Sequence, residues 1–201
     1  MYKFLTTILF TLLTFISIPA FAGDNRIKFV GSIGGSSGGE QMYSGTYVSG
    51  TTFEIKAGGG IYINAGISYA LDPKFDIQTT LGYHTDSTNA ENGKISFDRV
   101  PLEAIVFYNF DDSKIKLGVG LRKSLSAKTT TSGVATDYYQ AHSYNSSLGQ
   151  VIELQYSFNK KVVDNDYFAL SLRYVSEYYK INGYDEKIDG SHVGLALVYY
   201  N

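Results

Sequence analysis

The stretch "HTDSTN", His84 to Asn89, holds the residue types of acyl transfer. Ser87 would be the nucleophile, His84 the base that takes its proton, and Asp86 the carboxylate that orients the imidazole. The spacing argues less for catalysis than the composition does. Ser87 follows His84 by three residues, and Ser, Thr, Asp and Asn are also what an exposed turn contains. Catalytic residues are therefore expected to be none, with His84, Asp86 and Ser87 as the weak candidates. The three histidines, His84, His142 and His192, show neither HxH nor HxxxH spacing, so no metal site and no cofactor are expected. "GGSSGGEQ" at 34–41 lacks the Lys-Ser/Thr of a phosphate-binding loop and reads as a flexible loop.

The elements that would carry these residues are strands. After residue 25 no helical periodicity occurs, whereas apolar and small or polar residues alternate again and again. "KIKLGVGL" places Ile115, Leu117, Val119 and Leu121 on one face, with Lys116, Gly118, Gly120 and Arg122 on the other. "FALSLRY" sets Phe168, Leu170, Leu172 and Tyr174 against Ala169, Ser171 and Arg173. Such segments span roughly 26–34, 53–71, 75–84, 97–110, 114–125, 146–158, 167–179 and 191–201, eight in all. Short connections, "DPK" at 72–74, "DDS" at 111–113 and "NKKVVDND" at 159–166, alternate with longer Gly-, Ser-, Thr- and Asn-rich ones near 35–52, 85–96, 126–145 and 180–190. Short turns at one end and long loops at the other are the pattern of an up-and-down transmembrane barrel, with both termini on the short-turn side.

Residues 1–22 read as a secretory signal peptide: Lys3, an uncharged apolar run, then Ala20-Phe21-Ala22 as the cleavage signal. Residues 23–201 are then one barrel domain, and no later run approaches the length a membrane helix needs. With no cysteine, an exported chain must be stabilised by strand pairing and burial rather than disulfides. The net charge of −2 becomes −3 when Lys3 leaves with the leader, which argues against a nucleic-acid partner.

Alternation alone also fits a soluble barrel with its apolar face inward. The second face decides between them. In the final segment it consists of Gly194, Ala196, Val198 and Tyr200, a poor water-exposed surface but a suitable cramped interior. Aromatics gather at the segment ends: Tyr69, Phe75, Phe110, Phe158, Phe168 and Tyr199 on the turn side, Tyr83 and Tyr178 on the loop side, as in interfacial girdles. The inward charges are then Lys28, Asp76, Glu103, Lys116, Arg122, Glu153 and Arg173. Pairing Phe110 with Ile115 sets Glu103 opposite Arg122, and pairing Phe158 with Phe168 sets Glu153 opposite Arg173. Two interior ion pairs are expected, in a packed polar interior without an open pore. Pro101 cannot donate to a ladder and should lie at a bulge or above the membrane.

The leader, the eight alternating segments and the closing "VGLALVYYN" resemble the small outer-membrane barrels of the OmpA/OmpX type. Val193, Leu195, Leu197 and Tyr199 match the ninth, seventh, fifth and third positions from the end of that pattern, while Asn201 replaces its terminal Phe. "GYHTDSTNAENGKISFDRVPLEAIVFYN" also resembles a group of such barrels with no assigned activity. The resemblance implies an eight-stranded antiparallel barrel in the outer membrane of a Gram-negative cell. Its partners would be outer-membrane lipid and lipopolysaccharide, the barrel-assembly machinery, and an extracellular ligand or host surface met by the loops. The alternative is a lipid A-modifying acyl hydrolase or transferase using His84 and Ser87, although the deacylase pattern of His, one residue, then Ser-Asn is not reproduced.

Overall fold

A computed structural model of the chain describes residues 26–47, 49–90, 93–110, 114–133, 135, 139–158 and 166–201. The expected leader, the "DDS" turn and most of "NKKVVDND" lie outside these residues. The described strands are β1 (Ile27–Gly38), β2 (Gln41–Thr46), β3 (Thr52–Lys56), β4 (Gly60–Ala70), β5 (Phe75–Ala90), β6 (Gly93–Asn109) and β7 (Ile115–Gly133). There follow β8 (Ser143–Ser146), β9 (Gly149–Ser157), β10 (Tyr167–Ser176), β11 (Tyr178–Ile181), β12 (Lys187–Asp189) and β13 (His192–Tyr200). Eight of them pair antiparallel in a ring, β1-β4-β5-β6-β7-β9-β10-β13, and β13 returns to β1 from Val30↔Tyr200 to Gly38↔His192. This is a closed eight-stranded up-and-down barrel, which leaves no sheet edge along its middle.

The alternation in the sequence is the alternation of the walls. In β9, β10 and β13 every second residue is buried. Ile152, Leu154, Leu170, Leu172, Val193, Leu195 and Leu197 point outward and are exposed, while Glu153, Gln155, Ser171 and Arg173 point into the lumen and are buried. A water-soluble barrel would do the reverse. Phe75 and Tyr108, Tyr108 and Phe110, Tyr156 and Phe158, and Phe168 and Tyr199 meet in edge-to-face or tilted pairs around the turn-side rim.

Higher up the wall the exterior changes from apolar to polar. In β6 the outward residues change from Val106, Ala104 and Leu102 to Asp98, Ser96 (itself buried) and Lys94, and the inward ones run from Phe107, Ile105 and Glu103 to Arg99, Phe97 and Ile95. In β7 the outward series changes from Leu117, Val119 and Leu121 to Ser126, Lys128 and Thr130. The switch comes at a bulge, where Val100 faces Ser126 but Pro101 faces Ser124, so Leu125 is the extra residue. Pro101 sits at this irregularity, and the ladder to β5 skips Gly82 and Tyr83 opposite it.

Three segments differ from the sequence reading. Residues 85–90 and 93–96 form not a loop but the paired ends of β5 and β6, because alternation persists there with Thr85, Ser87 and Asn89 outward. Strand β7 likewise runs on to Gly133, and β8 occupies the end of the expected 126–145 loop. The segment expected over 53–71 breaks into β3 and β4 at Gly58-Gly59-Gly60, and β3 folds back on β2 as a separate hairpin. The "DPK" turn is held as expected for Asp: Asp72 Oδ1 accepts from Lys74 N at 2.7 Å and Phe75 N at 2.9 Å.

Candidate functional site

The lumen is built from the inward residues of all eight walls and is filled by side chains. The register sets Glu103 opposite Arg122 and Glu153 opposite Arg173. Arg122 Nη1 donates to Glu103 Oε1 at 2.6 Å. Glu153 and Arg173 come no closer than 3.8 Å, and Arg173 Nη2 instead crosses the lumen to Glu103 Oε2 at 2.7 Å. Glu153 Oε1 accepts from Gln155 Nε2 at 2.6 Å and Ser171 Oγ at 2.7 Å. In so narrow a barrel a long side chain reaches the opposite wall as easily as its neighbour, so strand register alone does not choose the partner.

A third acid completes the cluster. Glu177, at the break between β10 and β11, accepts from Arg122 Nε, Ser124 N and Tyr179 O–H at 2.8–2.9 Å. Sequence reasoning missed it, although its odd number puts it on the same face as Ser171 and Arg173. Toward the turn side, Lys116 Nζ donates to Tyr200 Oη at 2.8 Å and lies 3.9 Å from Asp76. Tyr200 Oη in turn lies 2.8 and 2.9 Å from the amide oxygens of Gln78 and Gln155. Buried charges persist only when paired and hydrogen-bonded, and this column meets that condition from Asp76 to Glu177.

The catalytic candidates do not assemble. His84 and Asp86 face the lumen, whereas Ser87 faces outward, because odd and even residues of a strand lie on opposite faces. Asp86 Oδ2 accepts from Lys56 N at 2.8 Å. Nε2 of His84 lies 2.9 Å from Ser36 Oγ, and its Nδ1 lies 3.5 Å from Arg122 Nη2. Arg122 can only donate, so Nδ1 is the lone-pair nitrogen and Nε2 carries the proton. That tautomer donates to Ser36, whose hydroxyl donates to Gly58 O at 2.8 Å, and it cannot activate Ser36 as a nucleophile. Nor are the histidines all apart, as their spacing suggested: the rings of His84 and His192 meet edge to face at 5.3 Å. His192 Nδ1 is held by Gly190 O at 2.8 Å. Among the described residues no group of three metal-ligating side chains occurs.

Above the histidines the mouth is capped by the β2–β3 hairpin. Ile55 and Ala57 are fully buried against Ile95, Phe97, Ala127, Tyr144 and Tyr179. Arg99 grips the base of this hairpin, Nη1 donating to Ala57 O and Nη2 to Gly59 O at 2.7 Å. The 35–52 segment is therefore partly a lid and not only a surface loop. The lid also takes in the start of the 53–71 segment, where Phe53 and Ile55 alternate with Glu54 and Lys56.

No family model matches the chain, and no curated protein matches it. Solved structures do. The chain is similar to Ail, the attachment invasion locus protein of Yersinia pestis, with a TM-score of 0.51 and 16% identity over 88% of this chain and 99% of that one. The fold is that of the small outer-membrane barrels. A second structure of Ail, in complex with the heparin analogue sucrose octasulfate, matches at 17% identity and a TM-score of 0.50 over the same shares. OprG from Pseudomonas aeruginosa matches at 12% identity and a TM-score of 0.47, covering 87% of this chain and 95% of that one. At 16–17% identity the two Ail matches carry the fold and no residue roles.

Proposed function

We propose that the chain is a non-enzymatic integral barrel of the bacterial outer membrane, exported by its leader with cleavage after Ala22. The observation that carries this reading is the change of the outward residues along β5–β7. An apolar exterior gives way above the bulge to a polar one, while the lumen stays mixed throughout, Glu103 beside Ile105 below and Arg99 and His84 beside Phe97 above. The first arrangement suits hydrocarbon outside the wall and the second suits water. A charged lumen filled by side chains and capped by Ile55 and Phe97 supports a role without an open pore. The long-strand end, with its polar outward residues, would be the surface offered to an extracellular ligand or host, and the belt below it would meet lipid and lipopolysaccharide. Assembly would use the barrel-assembly machinery, reading the stripe Val193, Leu195, Leu197 and Tyr199.

Ail was crystallised with a polysulfated ligand. In this chain the outer-end charges are mixed in sign: Lys56 pairs with Glu54 at 3.1 Å and Lys180 with Asp185 at 3.5 Å. That favours a partner read by shape and hydrogen bonds over a polyanion drawn by charge. The opposed faces of His84 and Ser87 count against lipid A chemistry.

The experiment fractionates membranes of an expressing cell and compares gel migration of unheated and boiled samples. A heat-dependent shift in the outer-membrane fraction, with no conductance in planar bilayers, is the expected result. A soluble chain or a reproducible open channel would overturn the reading.

A further inference from the structure

The β2–β3 hairpin belongs to the barrel by chain connection but not by ladder: it forms its own two-stranded sheet. Both of its attachments are glycine. Gly38 and Gly39 on one side and Gly60 on the other have φ of 132°, 77° and 107°, a region that other residues rarely adopt. The hairpin is held to the wall by Ile55 and Ala57 in the apolar cluster, by Lys56 N donating to Asp86 and Ser36 Oγ to Gly58 O, and by one buried cation, Arg99. This guanidinium is 0% exposed, and among the described residues no carboxylate pairs with it. Its two Nη groups point at two carbonyl oxygens of the hairpin base, Ala57 O and Gly59 O, and its Nε has no hydrogen-bond partner. Two parallel N–H donors meeting two oxygens is the way a guanidinium takes a carboxylate or a phosphate. The hairpin carbonyls stand where such a ligand would stand.

We propose that the hairpin is a hinged lid over an oxyanion receptor, and that Arg99 holds the lid shut with the same two N–H groups that take a small oxyanion when it is open. Lifting the lid strips a buried cation of its acceptors, which is costly. A carboxylate or phosphate that replaces them offsets that cost, and by preferring the open state it shifts the population toward it. The groups beneath fit such an entrant. His84 and His192 are held as hydrogen-bonded rings, and Arg122 lies below them, balanced by Glu103 and Glu177. The inference rests on the barrel reading above, and heat-dependent gel migration tests that reading separately.

The chain has no cysteine of its own, so one can be placed under the lid. Ser124 is buried beside Tyr179, which packs in the same cluster as Ile55. Ser124→Cys in the full folded chain is treated with a charged, membrane-impermeant thiol reagent, in chloride or in inorganic phosphate at equal ionic strength. We expect slow labelling in chloride and labelling several-fold faster in phosphate. Adding Arg99→Ala should raise the chloride rate by about tenfold or more, as loss of a charge-assisted hydrogen bond implies, and abolish the phosphate effect. Arg99→Lys keeps the charge without the fork. It should label faster than the parent with little response to phosphate, and it carries the test if Arg99→Ala loses its heat-dependent shift. Unchanged chloride labelling in folded Arg99 variants would overturn the lid. Phosphate without effect on the parent would overturn the receptor.

Discussion

Arg173 Nη2 lies 2.7 Å from Glu103 Oε2 on the far side of the lumen, while Glu153, directly opposite Arg173 on the neighbouring strand, stays at 3.8 Å. Glu103 thus serves two arginines, Arg122 and Arg173, and is the hub of the buried charge. Glu103→Leu leaves both without their closest acid and should cost about 3–5 kcal/mol. Glu153→Gln keeps an oxygen for Gln155 and Ser171 and loses only the long contact, so about 1 kcal/mol is expected. Urea unfolding in lipid vesicles measures both. A costlier Glu153→Gln would show that register, not reach, sets the pairing.

The position of the belt can be read by single arginines. Val119 faces outward between Val106 and Ile152 at mid-belt. Val119→Arg should destabilise the barrel in a bilayer by about 2–4 kcal/mol. Thr130, outward on the same strand but above the bulge, is exposed opposite Ser96. Thr130→Arg should change stability by less than about 0.5 kcal/mol. Equal costs at both sites would mean that the change of exterior does not mark the membrane boundary.

Much of the barrel was legible because period-two alternation leaves few choices. The positions of Phe110, Ile115, Phe158 and Phe168 were enough to give two strand registers, and the structure has both: Phe110 N donates to Ile115 O and Phe158 N to Phe168 O. The outer end was harder to read. Above the bulge the outward residues become polar, so Thr85, Ser87 and Asn89 look like loop residues while they still alternate in a strand. The lumen was half legible. The same parity that placed Glu103 inward also places Arg99 and His84 there, but a histidine among Ser, Thr and Asp suggested chemistry first. Contacts across the lumen, such as Arg173 with Glu103, have no trace in sequence spacing.

A lipid A mass spectrum is expected to be identical from cells that overexpress the chain, lack it, or carry His84→Ala. Ser87 cannot reach His84 through the wall of β5, and Ser36 is the acceptor of the His84 N–H. Loss or gain of one acyl chain that follows His84 would make the barrel an enzyme despite this geometry.

Asp98 gives a pH dependence with a definite sign. It lies on the outward wall above the belt, where Tyr83 and Thr85 hydroxyls donate to its Oδ1 at 2.7 Å and Ser96 Oγ to its Oδ2 at 2.9 Å. Partial burial pushes its carboxyl up, but the three hydroxyl donors and nearby Lys94 outweigh this and hold it below the usual carboxylate value. A folded-state value below the unfolded one adds stability above the unfolded pKa, and that stability is lost as pH falls through the folded one. The wild-type chain should therefore exceed Asp98→Asn in stability by a constant margin from pH 8 to about pH 5, and the margin should shrink below about pH 4 as the carboxylate takes its proton. Vesicle unfolding at a series of pH values measures it. A margin that grew on acidification would mean that the protonated acid, not the carboxylate, is the form the hydroxyls hold.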